Sequence, residues 1–137
     1  LIGLERSING RPAGFRTHAL VCVSSALLML LTVYQIKLLP GIPIESVRID
    51  PTRMAQGIMT GIGFLGAGVI MKEGLAVRGL TTAASIWITA SIGILVGIGF
   101  YYAAAVGTLI TLGTLSLFRF LENMIPTLSY ARLHVRT

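Results

Sequence analysis

Three arginines, Arg6, Arg11 and Arg16, crowd one polar segment near the start of the chain, set around Gly10, Pro12 and Gly14. A guanidinium carries its donors in a rigid planar fork that matches the oxygens of a phosphate or carboxylate two at a time. Three of them around a Pro/Gly-punctuated turn suit phosphate oxygens, on lipid headgroups, on a regulatory anion or on a partner's acidic surface. Headgroup anchoring is the favoured reading. Glu5 and His18 flank the segment. His18 opens an apolar run and reads as an interfacial polar residue, since no further metal ligands stand near it.

A second polar group is Asp50-Pro51-Thr52-Arg53. Asp is a favoured N-cap and Pro a favoured first helical residue, so this reads as the start of a helix. The partial positive charge of a helix N-terminus disfavours a cation-ligand role for Asp50. Arg53 is left to pair with Asp50 or Glu45, or to meet anionic headgroups. A third group is Arg78-Gly79-Leu80-Thr81, an arginine and a threonine ahead of an apolar run, as in Arg16-Thr17.

Catalytic chemistry finds little footing. Gly61-x-Gly63-x-x-Gly66 spells a dinucleotide fingerprint, but that fingerprint requires a preceding strand and a soluble βαβ unit, and neither is present. No nucleophile–base pair or metal-ligand cluster is evident, so no catalytic residue, cofactor or metal is expected. The five acids, Glu5, Glu45, Asp50, Glu73 and Glu122, fall in loops or at the ends of apolar runs. A magnesium path would want carboxylates at mid-membrane.

The elements that position these groups follow from composition. Of 137 residues, 54% are hydrophobic and only 12% charged, about half the charge a soluble domain carries. Sixteen glycines would weaken helices in water by about 1 kcal/mol each against Ala, whereas in lipid they serve helix packing. The fold class is therefore all-α, a polytopic transmembrane helix bundle. The net charge of +6 sits in short segments between apolar runs without aromatic interleaving, which argues for basic membrane loops and against nucleic acid. Cys22, the single cysteine, forms no intrachain disulfide.

Four apolar runs reach spanning length, at about His18–Leu39, Met54–Met71, Leu80–Ile98 and Phe100–Leu121. Leu1-Ile2-Gly3-Leu4 reads as the end of a truncated first span at about residues 1–5, giving about five spans. Lys37 snorkels at the end of the first full run, and Pro40-Gly41-Ile42-Pro43 stops it. Gly97 and Gly99 mark a reversal that makes the last two runs a helical hairpin. Arg6, Arg11, Arg16, Lys72, Arg78, Arg119, Arg132 and Arg136 fall on one side, against Lys37, Arg48 and Arg53 on the other. The positive-inside rule puts the first group in the cytoplasm, with the N-terminus outside and the C-terminus inside. Residues 1–125 form the transmembrane domain, and 126–137 a cytoplasmic tail that would open any soluble domain.

Small residues mark the expected contacts. Gly57 and Gly61 are four apart and Gly68 returns near their face, while Gly63 and Ala67 mark another, with Gly66 between. This run is expected to lie centrally and touch two neighbours. Thr81, Ser85, Thr89, Gly93 and Gly97 form a small, mildly polar stripe, expected to pack against the glycine run. Trp87 falls well inside its run, so its N–H needs a partner from the hydroxyl stripe or from another subunit. Ala103, Gly107, Thr111 and Thr114 repeat the theme.

Three blocks give the chain a specific likeness. They are Gly3-Leu4-Glu5-Arg6 with Arg11-Pro12-Ala13-Gly14-Phe15-Arg16-Thr17-His18; Asp50-Pro51-Thr52-Arg53 leading into Gly61-Ile62-Gly63-Phe64-Leu65-Gly66-Ala67-Gly68; and Val77-Arg78-Gly79-Leu80-Thr81-Thr82-Ala83-Ala84-Ser85 with Trp87. In this order they resemble the MgtC/SapB family. The resemblance implies a bacterial inner-membrane protein linked to adaptation to low magnesium and to intracellular survival. It also implies a non-enzymatic regulator rather than a transporter, with the membrane ATP synthase as the partner of one relative. A homo-oligomer and a cation transporter or channel stay open beside that reading. Ser7 departs from the resemblance, standing where relatives often carry an acid.

Overall fold

The computed structural model describes residues 1–35 and 50–124. Lys37, the Pro40-Gly41-Ile42-Pro43 stop, Glu45, Arg48, Arg132, Arg136 and the 126–137 tail lie outside the described residues, as do the side chains of Arg119 and Glu122.

The described chain is helical apart from one small hairpin. The helices are α1 (Ile2–Ile8), α2 (Phe15–Val33), α3 (Pro51–Gly68), α4 (Leu80–Gly97) and α5 (Tyr101–Met124). Each expected run overlaps one helix, with ends displaced by up to three residues except that α2 ends at Val33, six short of Leu39. Among the described residues two helices, α2 and α4, are long and apolar enough to cross a membrane.

Two helix ends follow one rule. The amide of Gly10 donates to the carbonyl of Ser7 at 3.2 Å, and that of Arg11 to the carbonyl of Arg6 at 2.9 Å. The amide of Gly99 donates to Val96 at 3.1 Å, and that of Phe100 to Leu95 at 2.8 Å. Both are Schellman ends, which place a left-handed residue just past the helix, and Gly10 and Gly99 have φ of 61° and 88°. The reversal between α4 and α5 thus belongs to Gly99. Gly97 is the last helical residue and has a different task, described below.

The segment between α3 and α4, read from sequence as a plain loop, is a hairpin of β1 (Met71–Glu73) and β2 (Ala76–Arg78). Met71 faces Arg78 and Glu73 faces Ala76. Three-residue strands are too short to leave an alternating signature, which is why the sequence did not reveal them. Gly79 follows at φ 91° and caps α4. A side chain there would collide with the carbonyl oxygen of Val69, so this corner accepts only glycine.

Burial is inverted with respect to a water-soluble bundle. The inner face of α2 holds His18, Ser25 and Thr32 beside Val21 and Met29, whereas Leu20, Val23, Leu27 and Leu31 are exposed. The inner face of α4 holds Thr82, Ser85 and Thr89, while Trp87 is half exposed. Water would favour the reverse, whereas hydrocarbon around the bundle places polar side chains inside and leucines outside.

The helix at the centre is α4. It meets α2 and α3 through Val21, Met29, Ile58, Ile62, Ile86 and Ala90, and α1 and α5 through Ile2, Ile92 and Ala104. This corrects the expectation that the glycine-rich run would be central. That run, α3, does touch two neighbours, α2 and α4, but through Ile58, Ile62 and Gly66 rather than through the face of Gly57, Gly61 and Gly68. The stripe on α4 packs on α2 instead. A Cβ at Gly97 would lie 2.6 Å from both the carbonyl oxygen of Ala26 and the Cβ of Met29, and one at Gly93 would meet the carbonyl of Cys22. His18 meets Ser85 further up the same seam, so α2 and α4 run parallel, backbone against backbone. Removing side chains lets these helices gain dispersion contact, the main attraction available where lipid cancels the hydrophobic effect.

Candidate functional site

Where α1 ends and where α2 and α4 begin, a cavity of about 950 Å3 opens. Its wall is built from Arg6, Gly10, Arg11 and Pro12, from the end of β2 at Val77 and Arg78, from the first turn of α4, and from Thr114 and Leu115 of α5. Among the described residues no carboxylate lines it.

Arg6 is the buried member, only 5% exposed. Its Nη2 donates to the hydroxyl of Thr82 at 2.7 Å, and its Nε finds no hydrogen-bond partner among the described residues. The Schellman turn after α1 ties the backbone of Arg11 to that of Arg6, so the two guanidinium stems rise from one rigid corner. Arg78 reaches the same cavity from the hairpin, its Nε held by Glu73 at 3.2 Å. Arg16, by contrast, is exposed on the outer side of α2 and does not line the cavity. The arginine trio is therefore Arg6, Arg11 and Arg78, with Arg78 replacing Arg16 of the sequence reading.

A polar chain runs inward from this corner. Ser85 sits one turn beyond Thr82 on α4, and its hydroxyl lies 3.1 Å from Nε2 of His18 and 2.8 Å from the carbonyl of Thr82. The other ring nitrogen, Nδ1, lies 3.0 Å from the carbonyl of Gly14. A carbonyl only accepts, so Nδ1 carries a proton. Thr89 turns its hydroxyl back onto the carbonyl of Ser85 at 2.7 Å. His18 is thus a buried strut, which corrects its reading as an interfacial residue.

Several residues escaped the sequence reading. Thr82 holds Arg6, whereas the chosen Thr81 is exposed and merely lines the cavity. A four-residue stripe favours Thr81, but 3.6 residues per turn carries the buried face to Thr82. Ser7 accepts the amide of Phe15 at 2.8 Å and so caps α2, whose own N-cap, Gly14, has no side chain to do it. An acid would serve equally at this positive helix end. Glu5 accepts from Asn9 at 3.0 Å, outside the cavity wall.

Asp50 and Arg53 lie elsewhere. Asp50 caps α3, accepting the amide of Thr52 at 3.0 Å and the Thr52 hydroxyl. Arg53 pairs with it at 3.6 Å, both side chains largely in solvent. Trp87 faces outward and takes no partner from the hydroxyl stripe among the described residues. On α3, Gly57, Gly61, Gly63 and Gly68 have none of the described residues within 4 Å of where a Cβ would stand, whereas a Cβ at Gly66 would lie 3.6 Å from that of Ala83. Gly57 and Gly61 border a shallow cleft of about 280 Å3 beside Ser24, Ser25 and Leu28 of α2. Among the described residues no three His, Cys, Asp or Glu gather as a metal site would require.

Inverted polarity and two spanning-length helices define a helical membrane protein. The MgtC family model matches residues 1–124, and the chain belongs to that family. It is 40% identical to YhiD of Escherichia coli K12, whose name proposes a magnesium transporter, over 94% of this chain and 59% of that protein. It is 44% identical to Protein MgtC of Brucella abortus, over 87% of this chain and 46% of that one. With Protein MgtC of Salmonella typhimurium it shares 46% identity over 82% and 44%. The chain thus spans about half the length of these relatives. No solved structure matches it.

Proposed function

We propose that this chain is the membrane part of a bacterial inner-membrane protein of magnesium homeostasis. In this reading it acts as a regulator without catalysis, by laying α3 against a helix of another membrane protein. The observation that carries the proposal is the open glycine face of α3. Gly57, Gly61 and Gly68, which share that face, serve no contact within the described chain, although each costs about 1 kcal/mol of helix propensity against Ala. Glycine faces in lipid let a second helix come close enough for backbone contact. The helices alternate in direction, with the basic corner at one end, which supports five crossings with the N-terminus outside and the C-terminus inside.

Crosslinking from α3 in intact membranes tests this. Partner adducts are expected for the parent chain and should vanish in Gly61→Leu; adducts unchanged by that substitution would sink the proposal. Adducts between copies of this chain would identify the partner as a homo-oligomer.

The name of the Escherichia coli relative favours a second reading, transport of magnesium. The arginine-lined cavity weighs against it, since three guanidiniums repel a divalent cation. Purified protein in liposomes should leave magnesium where it is, and a clear flux would reverse the ranking.

A further inference from the structure

We propose that the cavity walled by Arg6, Arg11 and Arg78 is a binding site for a phosphate group. Three guanidiniums converge on it from separate elements, the end of α1, the turn after it and the hairpin, and among the described residues no carboxylate lines the wall. Arg6 adds an observation independent of that clustering. It is 95% buried, it spends Nη2 on Thr82, and it keeps an Nε with no partner among the described residues, in a side chain that lines the cavity. A buried cation with an unused donor is costly unless an anion or a hydrogen bond completes it.

The first turn of α4 supplies what a phosphate needs. The 18-residue helix α4 begins here at Gly79, with no side chain capping its first amides. Uncapped amides and the positive end of the helix dipole favour an anion. Thr81 adds an exposed hydroxyl. Guanidinium forks, amides and a hydroxyl together match phosphate oxygens better than a single carboxylate. At about 950 Å3 the space exceeds what bare phosphate fills and matches a small-molecule site. Val77, Leu80 and Leu115 line it as well, so the rest of a phosphate ester has an apolar surface to lie on. The ligand chemistry is a phosphate monoester or diester, supplied by an anionic lipid headgroup or by a soluble phosphate compound.

The full chain, purified in a neutral maltoside detergent at fixed ionic strength, tests the site in two arms. One titrates inorganic phosphate calorimetrically. The other counts phosphatidylglycerol retained against phosphatidylcholine by native mass spectrometry. Arg11→Gln and Arg78→Gln alter exposed side chains, so the fold should survive them, and each is expected to weaken binding on the order of tenfold. Arg16→Gln removes the same charge outside the cavity and is expected to change nothing. Saturable phosphate binding that depends on Arg11 identifies a soluble source. Retention of phosphatidylglycerol alone, again dependent on Arg11, identifies the headgroup. Binding in neither arm overturns the proposal, and so does an equal loss in Arg16→Gln, which would reduce the effect to net charge.

Discussion

Nε2 of His18 and the hydroxyl of Ser85 meet at 3.1 Å across the seam between α2 and α4, though 67 residues separate them in the chain. The same seam holds Gly93 and Gly97 against the backbone of α2. Polar pairing at one end and backbone contact at the other fix these parallel helices in register.

That register yields a contrast between two glycines. Gly97→Leu drives a side chain into the carbonyl of Ala26 and the Cβ of Met29, which lie 2.6 Å from its first atom. Overpacking of this kind costs about 1–3 kcal/mol or more. Gly61→Leu enters open space and should leave the monomer's unfolding midpoint unchanged or slightly raised. Detergent-based thermal unfolding of the two variants checks the difference, and equal losses would contradict the helix arrangement.

Thr82→Val keeps the shape of the side chain and removes the acceptor from Nη2 of Arg6. Loss of a hydrogen bond to a buried charged group costs about 1.5–3 kcal/mol. Ser85→Ala removes a hydroxyl shared between His18 and the Thr82 carbonyl, and such intramembrane bonds average about 0.6 kcal/mol. Unfolding in mixed micelles should rank Thr82→Val as the more damaging, and the reverse order would show that Arg6 finds its support elsewhere.

Trp87, the chain's single tryptophan, is 50% exposed on the outer face of α4. In a bilayer its emission should be blue-shifted and quenched by lipids brominated in mid-chain. Quenching by aqueous iodide instead would place that face in water and remove the membrane from the account.

The cap of α3 responds to pH. Hydrogen bonds from the Thr52 hydroxyl and amide, aided by Arg53, hold the Asp50 carboxyl below its usual value. A lowered folded-state pKa gives stability that is present above the ordinary carboxylate range and lost as pH falls through the folded value. Amide exchange at Thr52 should therefore quicken in acid, after correction for the intrinsic rate. Asp50→Asn should abolish that pH response while keeping part of the cap.

Much of this architecture was legible in the chain because its signals are local. Asp50-Pro51 announces a helix start by rules that need nothing distant, and Arg53 sits one turn from its partner. The apolar runs are long enough to outvote boundary errors. What stayed hidden depends on rotation about the helix axis. Glycines on α3 and α4 look alike in sequence, yet it is Gly93 and Gly97 that pack against the backbone of α2, and Thr82 rather than Thr81 turns inward. Arg78 joins Arg6 and Arg11 through a hairpin whose strands are too brief to announce themselves, and that long-range closure is invisible to any local window.

The parallel course of α2 and α4 has a consequence for biogenesis. In the membrane reading, α2 enters lipid well before α4 exists, carrying His18, Ser25 and Thr32 on a face that α4 will cover. At about 5–20 residues per second of synthesis, the 67 residues between His18 and Ser85 amount to roughly 3–13 s. Through that interval the nascent helix must be sheltered by the insertion machinery, or by its own carbonyls, until the fourth segment arrives to relieve it.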